Sequence, residues 1–309
     1  MTENLELKLI EIFCCADDFC QQFEKEIEHK LIPMENKKPK VPCGISMSEM
    51  MAIEIFYHLQ GSKCFKYYYQ YFVEVHLKND FPGLPSYNRF VQLKSRLFLY
   101  IFCFLVACRM GSSTRTYYID SAKLTVCHNL RIHSHKVFKG LAKRGKTSTG
   151  WFFGLKLHLV TNHVGEIVSF IITPGNVADN NPDLGVKLCK GLCGKLFGDK
   201  GYISKKLREA LAGQGLLLIT KIKKNMKNKL MALEDKMYLQ SRGVIESVID
   251  LLKHICDIEH SRHRSPVNAM VNILAGLSAY SFLDHKPSVK NKKIRFREYL
   301  SLNNLPLVA

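Results

Sequence analysis

The segment Lys195–Tyr202 constrains the fold more than any other stretch, because a short apolar run there leads to a carboxylate with a glycine on each side. That carboxylate is Asp199. Glycines near the end of an apolar run are typical of a strand end at which the backbone comes close to a ligand. The residues from Ile203 onward favour a helix. The segment therefore predicts Asp199 at the edge of a sheet, where α/β folds bind their ligands.

Two other carboxylates lie in segments that predict regular structure. Thr116–Ala122 is rich in aromatic and β-branched residues and predicts a strand that ends on Asp120. Glu246 lies in a segment that favours a helix. Carboxylates from two strands and a helix can fold into one pocket for hard divalent cations. Two such ions, about 3.5–4 Å apart, can stabilise the attacking and leaving oxygens of a phosphodiester displacement.

The residues around Glu246 have the spacing of an amphipathic helix. At about 100° per residue, Tyr238, Arg242, Glu246 and Lys253 fall on one narrow face, and apolar residues fall on another. One continuous helix would then combine a carboxylate with cations suited to phosphate. A solvent-exposed face with an Arg242–Glu246 pair is the structural alternative.

The net charge of the chain limits the classes of partner that it can bind. The 309 residues are 47% hydrophobic, enough for a core and an accessory region, and the formal net charge is +18. Such a charge favours a nucleic acid or an anionic membrane surface. The apolar run Leu97–Ala107 is shorter than the roughly 20 residues of a membrane span. The acidic start also lacks a signal peptide pattern. Nucleic acid is the favoured partner, with no membrane association.

The stretch between Asp120 and Glu166 contains no carboxylate. Its cations are Lys123, Arg131, Lys136, Lys139, Lys143, Arg144, Lys146 and Lys156. Positive potential that is not offset locally predicts a track for the DNA backbone. A mobile basic loop is the alternative, and the two are compatible because such a loop can become ordered on DNA.

Cysteine usage indicates a reducing compartment. The eleven cysteines are odd in number and do not form a scaffold pattern, which predicts reduced buried thiols in a cytoplasmic protein. A zinc site at Cys127, His128, His133 and His135 is a weaker alternative, because the cluster lacks two regularly spaced ligand pairs.

The remaining pattern divides the chain into a helical part and an α/β part. Four helices are predicted at 5–31, 47–59, 64–77 and 87–107, with a linker at Lys37–Pro42. A helix-turn-helix around 47–78 is possible. The later elements are a hairpin (153–160 with 166–173), a turn with Asp179, helices (180–192, 203–211, 266–282), a strand (215–222) and basic segments (223–229, 286–297).

The order Asp120, Asp199, Glu246 within this pattern resembles the catalytic core of DDE transposases of bacterial insertion sequences. Tyr238, Arg242, Glu246 and Lys253 resemble the tyrosine, arginine, glutamate and lysine signature of one large group of these enzymes. Tyr238 departs from the spacing of that group by one residue. The resemblance covers about residues 112–284.

The resemblance implies an α/β fold with a ribonuclease H-like core, which is a mixed five-stranded sheet with flanking helices. This catalytic domain would span 111–285. An all-α region at 1–110 would bind DNA ends, and a basic tail would follow at 286–309. The implied protein is bacterial and cytoplasmic and associates with the nucleoid when it is bound to DNA. Its partners would be double-stranded transposon ends and target DNA, and it would act as a homo-oligomer, a dimer on paired ends.

The resemblance also implies roles for six residues. Asp120, Asp199 and Glu246 would be catalytic and hold two Mg²⁺ ions, for which Mn²⁺ can substitute. The DNA-binding residues would be Tyr238, Arg242 and Lys253. The enzyme would cut phosphodiester bonds at the insertion-sequence ends and join the 3′ end to target DNA. The alternatives are a catalytically silent DNA-binding regulator derived from such an enzyme, and a membrane-surface or RNA-binding protein, although no RNA-binding module is recognisable.

Overall fold

The structure, a computed structural model, describes residues 3–30, 44–147, 150–221, 231–259 and 263–289. The predicted linker Lys37–Pro42, the basic segment 223–229 and the tail from residue 290 onward lie outside these ranges.

Four helices build the N-terminal region, as the apolar spacing predicts. They are α1 (Glu3–Lys30), α2 (Met47–Tyr57), α3 (65–76) and α4 (Tyr87–Arg109). Ser46 begins α2 with a capping box, in which its side chain accepts from Glu49 N and the Glu49 side chain accepts from Ser46 N. The middle of α3, Tyr68–Val73, is a π-helix that turns Tyr68 and Tyr69 into the core.

Helix α4 is longer than the apolar run Leu97–Ala107 within it. By length and composition, this 23-residue helix would be able to cross a membrane. Core helices of soluble proteins have the same properties, and one face of α4 is buried against α2 and α9 (Pro266–Ser281). The fully buried side chains on that face are Phe90, Leu97, Ile101 and Phe104.

A mixed sheet forms the centre of the second half of the chain. Its strands are β1 (Thr116–Cys127), β2 (Lys143–Thr147), β3 (Gly150–Asn162), β4 (Ile167–Pro174), β5 (Gly194–Gly198) and β6 (Leu216–Thr220). The order is β4-β3-β1-β5-β6, with the short β2 beside the start of β3. The first three of these are antiparallel neighbours, and β1, β5 and β6 are parallel. This is the ribonuclease H-like arrangement, so the predicted fold is confirmed, and β2 is an addition that the sequence pattern did not predict.

Helices cover both faces of the sheet. They are α5 (Pro182–Leu188), α6 (Lys205–Ala212), α7 (Leu233–Gln240), α8 (Gly243–His254) and α9. Helices α5 and α6 bury one face, which presents Tyr117 and Ile119. The other face presents Tyr118 and Leu159 and packs against α7 and α8. Successive apolar side chains of β1 point to opposite faces, and Tyr117, Tyr118 and Ile119 are all buried because each face has its own layer of helices.

The N-terminal helices and the sheet domain share one hydrophobic core. Helix α9 contacts α8 on one side and α2 and α4 on the other. Its side chains from Val271 to Tyr280 are buried almost without interruption, as expected for a helix surrounded by protein. Boundaries near residues 110 and 285 remain a prediction, and a fragment that ends at residue 110 would lose the packing of α9.

Candidate active site

Asp120 lies in the middle of β1. The prediction that the strand ends at this residue is wrong, because the buried alternation continues through Ala122, Leu124 and Val126 to the end of β1 at Cys127. The Asp120 side chain points to the face that packs against α8, and its Oδ1 accepts a hydrogen bond of 2.8 Å from Ser121 N. Burial raises the pKa of Asp120, and the Ser121 amide and the Arg242 charge oppose this shift.

Asp199 directly follows β5, as predicted for a strand end. Strand β5 runs parallel to β1, and Gly198 is the register partner of Ile119. The next residues in the two strands, Asp120 and Asp199, therefore lie side by side. A Cβ at Gly198 would come within 3.1 Å of Ile119 Cγ2, so the glycine permits this close approach. A short 3₁₀ turn, Lys200–Tyr202, follows, and α6 begins at Lys205, two residues later than the predicted start.

Glu246 lies in the first turn of α8, which is a separate helix from α7. The continuous helix predicted from Tyr238 to Lys253 is wrong. Helix α7 ends at Gln240, and α8 begins at Gly243, directly after Arg242. Glycine is unfavourable in the interior of a helix, and this accounts for a break next to Gly243. Buried Ile245 and Val248 hold α8 against the sheet and leave Glu246 at the side where Asp120 lies.

The guanidinium of Arg242 joins these carboxylates. Its Nη1 donates to Asp120 Oδ2 at 3.0 Å, and its Nη2 donates to Glu246 Oε1. Only 12% of the Arg242 side chain is exposed. Burial lowers the pKa of Arg242, but the charges of Asp120, Glu246 and Asp199 outweigh that effect and raise the pKa above its ordinary value. Asp120 and Glu246 thus bind one cation directly, and the charge of Asp199 also acts on it.

The donor set fits a hard divalent cation by its chemistry, since it consists of three carboxylates. The Arg242 guanidinium is a stand-in for such an ion, because it binds oxygens of two of these carboxylates. Among the residues that the structure describes, no three His, Cys, Asp or Glu side chains converge closely enough to hold a metal as they stand. Arg242 therefore competes with a metal ion for oxygens of Asp120 and Glu246.

The other two residues predicted to bind DNA have partners within the protein. The Tyr238 ring packs against Phe197, with the ring centroids 5.6 Å apart. Lys253 Nζ donates to Glu259 Oε2 at 2.8 Å, and Thr125 N donates to Glu259 Oε1 at 2.9 Å. Burial would raise the pKa of Glu259, but these hydrogen bonds outweigh it and lower the pKa. DNA contact by Tyr238, Arg242 and Lys253 remains a prediction.

Asp179 holds the loop between β4 and α5. Its Oδ1 accepts from Lys156 Nζ at 3.2 Å and lies 3.7 Å from His158 Nδ1. Lys156 also donates to Val177 O. The prediction that Lys156 belongs to an exposed DNA track is wrong, because this side chain is buried. Burial lowers the pKa of His158 to about 4, with Asp179 opposing the shift and Lys156 adding to it.

The suggested zinc ligands do not form a site. Cys127 is buried at the end of β1, and His135 stacks on Phe138. No metal-binding group of His, Cys, Asp or Glu occurs in the described parts of the chain. The cysteines in these parts are free, and only some of them are buried, so the prediction of buried thiols fails for exposed Cys14, Cys108 and Cys193.

Comparison with known proteins gives one family. The model of the "Transposase DDE domain" family matches residues 110–266, just over half of the chain. No curated protein matches the sequence. A cryo-EM structure of the piggyBac transposase synaptic complex with hairpin DNA is similar over 100% of this chain and 84% of its own, with 11% identity and a TM-score of 0.43.

Proposed function

The chain belongs to the transposase DDE domain family, and on that premise we propose that it is the transposase of a bacterial insertion sequence. It binds the ends of the element, cleaves phosphodiester bonds there and joins the 3′ end to target DNA. The observation that supports this proposal is that the charges of Asp120, Asp199 and Glu246 all act on the Arg242 guanidinium, which binds Asp120 and Glu246 directly. These residues come from β1, the end of β5 and α8.

Asp120, Asp199 and Glu246 would hold Mg²⁺, or Mn²⁺ in its place, with two ions in the site. The bound ions would supply Lewis acidity and activation of the attacking oxygen. The sheet holds Asp120 through its pairing with Leu159, and Asp199 directly follows the last paired residue of β5, Gly198. Both backbones are therefore held close to their positions before an ion binds. Glu246 is 55% exposed on the first turn of α8 and has the most freedom to turn toward an ion.

Arg242 is the group that must exchange partners in this scheme. Its planar guanidinium can donate two parallel hydrogen bonds to a phosphate as well as to a carboxylate. When it releases Asp120 and Glu246, it is placed to bind a DNA phosphate next to the carboxylates. Lys253 can take part only if its bond to Glu259 opens.

The charge supports double-stranded DNA as the partner. The net charge of +18 and the run from Asp120 to Glu166 without a carboxylate place a large positive potential on the catalytic half. Pairing of two element ends would require a homo-oligomer, for which a dimer is the simplest form. The protein would act in the bacterial cytoplasm, at the nucleoid.

One observation favours a second candidate, a catalytically silent DNA-binding regulator. Arg242 pairs with Asp120 and Glu246, and the described residues offer no metal site that is ready as it stands. A chain in which this pairing never opens would bind DNA without cutting it.

An end-cleavage assay tests the proposal. The substrate is labelled duplex DNA from the flanks of the encoding gene, with Mg²⁺ or Mn²⁺ and with EDTA. Wild type should nick it only with metal, and Asp120→Ala, Asp199→Ala and Glu246→Ala should abolish nicking while gel-shift affinity persists. Full nicking by any one of these variants would refute the assignment of that residue, and DNA binding without any nicking by wild type would favour the regulator.

A further inference from the structure

Trp151 is the only tryptophan of the chain, and 52% of its side chain is exposed. It lies near the start of β3, opposite Lys146 of β2. An indole has a large apolar surface and is strongly buried in most proteins. Its position on a charged hairpin therefore calls for a functional explanation.

Two cations lie over the Trp151 ring. The Arg144 guanidinium carbon is 4.9 Å from the ring centroid, and Lys146 Nζ is 5.6 Å from it. Residues 144, 146, 151 and 153 project from the same face of the antiparallel pair β2–β3, because Lys146 pairs with Trp151 and Arg144 with Phe153. The aromatic ring and both cations thus form one surface, which we call the Trp151 platform.

Among the described residues, no carboxylate pairs with the cations of this platform. Lys143, Arg144 and Lys146 are exposed, and within the described ranges none of them forms an ion pair. A second copy of this chain would bring the same positive platform or another part of a +18 surface, so self-association here is electrostatically disfavoured. The charge favours a polyanion.

The backbone holds the platform in place. Asn129 Nδ2 donates to Trp151 O at 2.8 Å, which ties the turn after β1 to the hairpin. Phe138, from the segment between β1 and β2, is buried and stacks on His135, and His135 meets Phe153 edge-on. These contacts argue against a mobile basic loop at this point and favour a preformed site.

The indole determines which form of the polyanion fits. Cations alone are enough to bind the phosphates of a duplex. The faces of its bases are stacked on each other and are not available for stacking on a side chain. An aromatic ring beside cations is the combination that binds single strands, where an unpaired base stacks on the ring and its phosphates contact the charges. We propose that the Trp151 platform binds an unpaired stretch of DNA, with a base on Trp151 and adjacent phosphates on Arg144 and Lys146.

The position of the platform relates it to the candidate active site. Trp151 and Leu159 project from the same face of β3, and Leu159 is the register partner of Asp120. At roughly 3.4 Å per residue, Trp151 lies about 27 Å along the strand from Asp120, which equals about eight base pairs of a duplex. The inference rests on the proposed function in one respect, because a cut or opened end supplies unpaired nucleotides.

The test uses the intrinsic fluorescence of the full chain in EDTA, which removes the divalent ions that the proposed cutting needs. Because Trp151 is the sole tryptophan, its emission reports on this site alone. A thymidine oligonucleotide should quench the emission, and a duplex of equal length should leave it nearly unchanged. Absence of quenching by the single strand, or equal quenching by the duplex, would overturn the proposal.

Affinity measurements with a labelled thymidine oligonucleotide complete the test. Trp151→Ala should weaken single-strand binding by roughly 5- to 100-fold, while Trp151→Phe should keep most of the affinity. Arg144→Gln should lower the magnitude of the salt slope by about 0.7. The matched control is Leu130→Ala, since Leu130 is 86% exposed on the same basic segment but has no aromatic face.

Equal single-strand affinity of Trp151→Ala and wild type would refute the platform. So would a loss in Leu130→Ala as large as that in Trp151→Ala, because it would indicate a general apolar contact. Neither result depends on metal or cleavage. Nicking by wild type together with unchanged binding by Trp151→Ala would remove the platform and leave the proposed function standing.

Discussion

Arg242→Ala is the substitution whose effect follows most directly from the geometry of the site. It leaves Asp120 and Glu246 without the cation that both carboxylates share. Removing one partner of a fully buried ion pair costs about 3–5 kcal/mol, whereas an exposed pair contributes about 1 kcal/mol or less. In the Arg242–Asp120 pair, the Arg242 side chain is 12% exposed and the Asp120 side chain 23%, so this pair is close to a buried one. The Glu246 side chain is 55% exposed, so the Arg242–Glu246 pair is closer to an exposed one. We expect a loss of about 2–4 kcal/mol in EDTA.

Thermal unfolding in EDTA and then with Mg²⁺ or Mn²⁺ measures this loss. The Tm of Arg242→Ala should fall by roughly 3–6 °C. Divalent metal should restore more stability to the variant than it adds to wild type, because the ion replaces the missing guanidinium charge without having to displace it. Lys205→Ala is the control, since Lys205 is 89% exposed and lies 3.8 Å from Glu209. Equal Tm values for Arg242→Ala and wild type in EDTA, or equal stabilisation of both by metal, would refute this account of Arg242.

Three further predictions concern residues around the site and in the core. Because burial holds the pKa of His158 near 4 while an unfolded histidine titrates near about 6.5, the unfolded state binds the proton first. Stability should therefore fall as pH drops from about 6.5 to 4, by up to about 3 kcal/mol, and denaturant titrations of His158→Gln should show a flatter pH dependence. Lys94→Met should destabilise the helical region by about 3–5 kcal/mol, since it leaves Glu54 buried without its cation, and a similar Tm for this variant and wild type would contradict the pairing. Glu259→Gln should free Lys253 and strengthen duplex DNA binding, whereas Lys253→Ala should lower the magnitude of the salt slope by about 1, and unchanged binding in both variants would exclude Lys253 from the DNA surface.

The periodicity of apolar residues in the sequence predicts most of the fold, because buried residues recur along each helix or strand with the period of that element. The helices α1, α2, α4 and α9 and the strands β3 to β6 each bury a face or a run that the hydrophobic pattern displays. The flanking glycines predict Asp199 at a strand end, and the structure confirms this position directly after β5. The order of the strands came from the family resemblance and not from the periodicity.

The errors arise where tertiary contacts decide the local structure. The strand β2, with the sequence Lys-Arg-Gly-Lys-Thr, has no apolar alternation and forms because it pairs with β3. The helical projection that joined Tyr238 to Lys253 assumed an unbroken helix, although Gly243 allows a break. Glu259 was missed because its partners, Lys253 and Thr125, are identified only by the folded chain. The core that α9 shares with the N-terminal helices also depends on contacts between distant parts of the sequence, which the folded chain alone identifies.

The measurement that tests the central claim most directly is DNA end cleavage by Asp199→Cys in Mg²⁺ and in Mn²⁺. If Asp199 is a metal ligand, a thiolate in its place should bind Mg²⁺ poorly and the softer Mn²⁺ better. The variant should then be inactive with Mg²⁺ and regain nicking with Mn²⁺, while Asp199→Ala stays inactive with both. Full nicking by Asp199→Cys with Mg²⁺, or nicking by wild type in EDTA, would contradict a metal centre at Asp199.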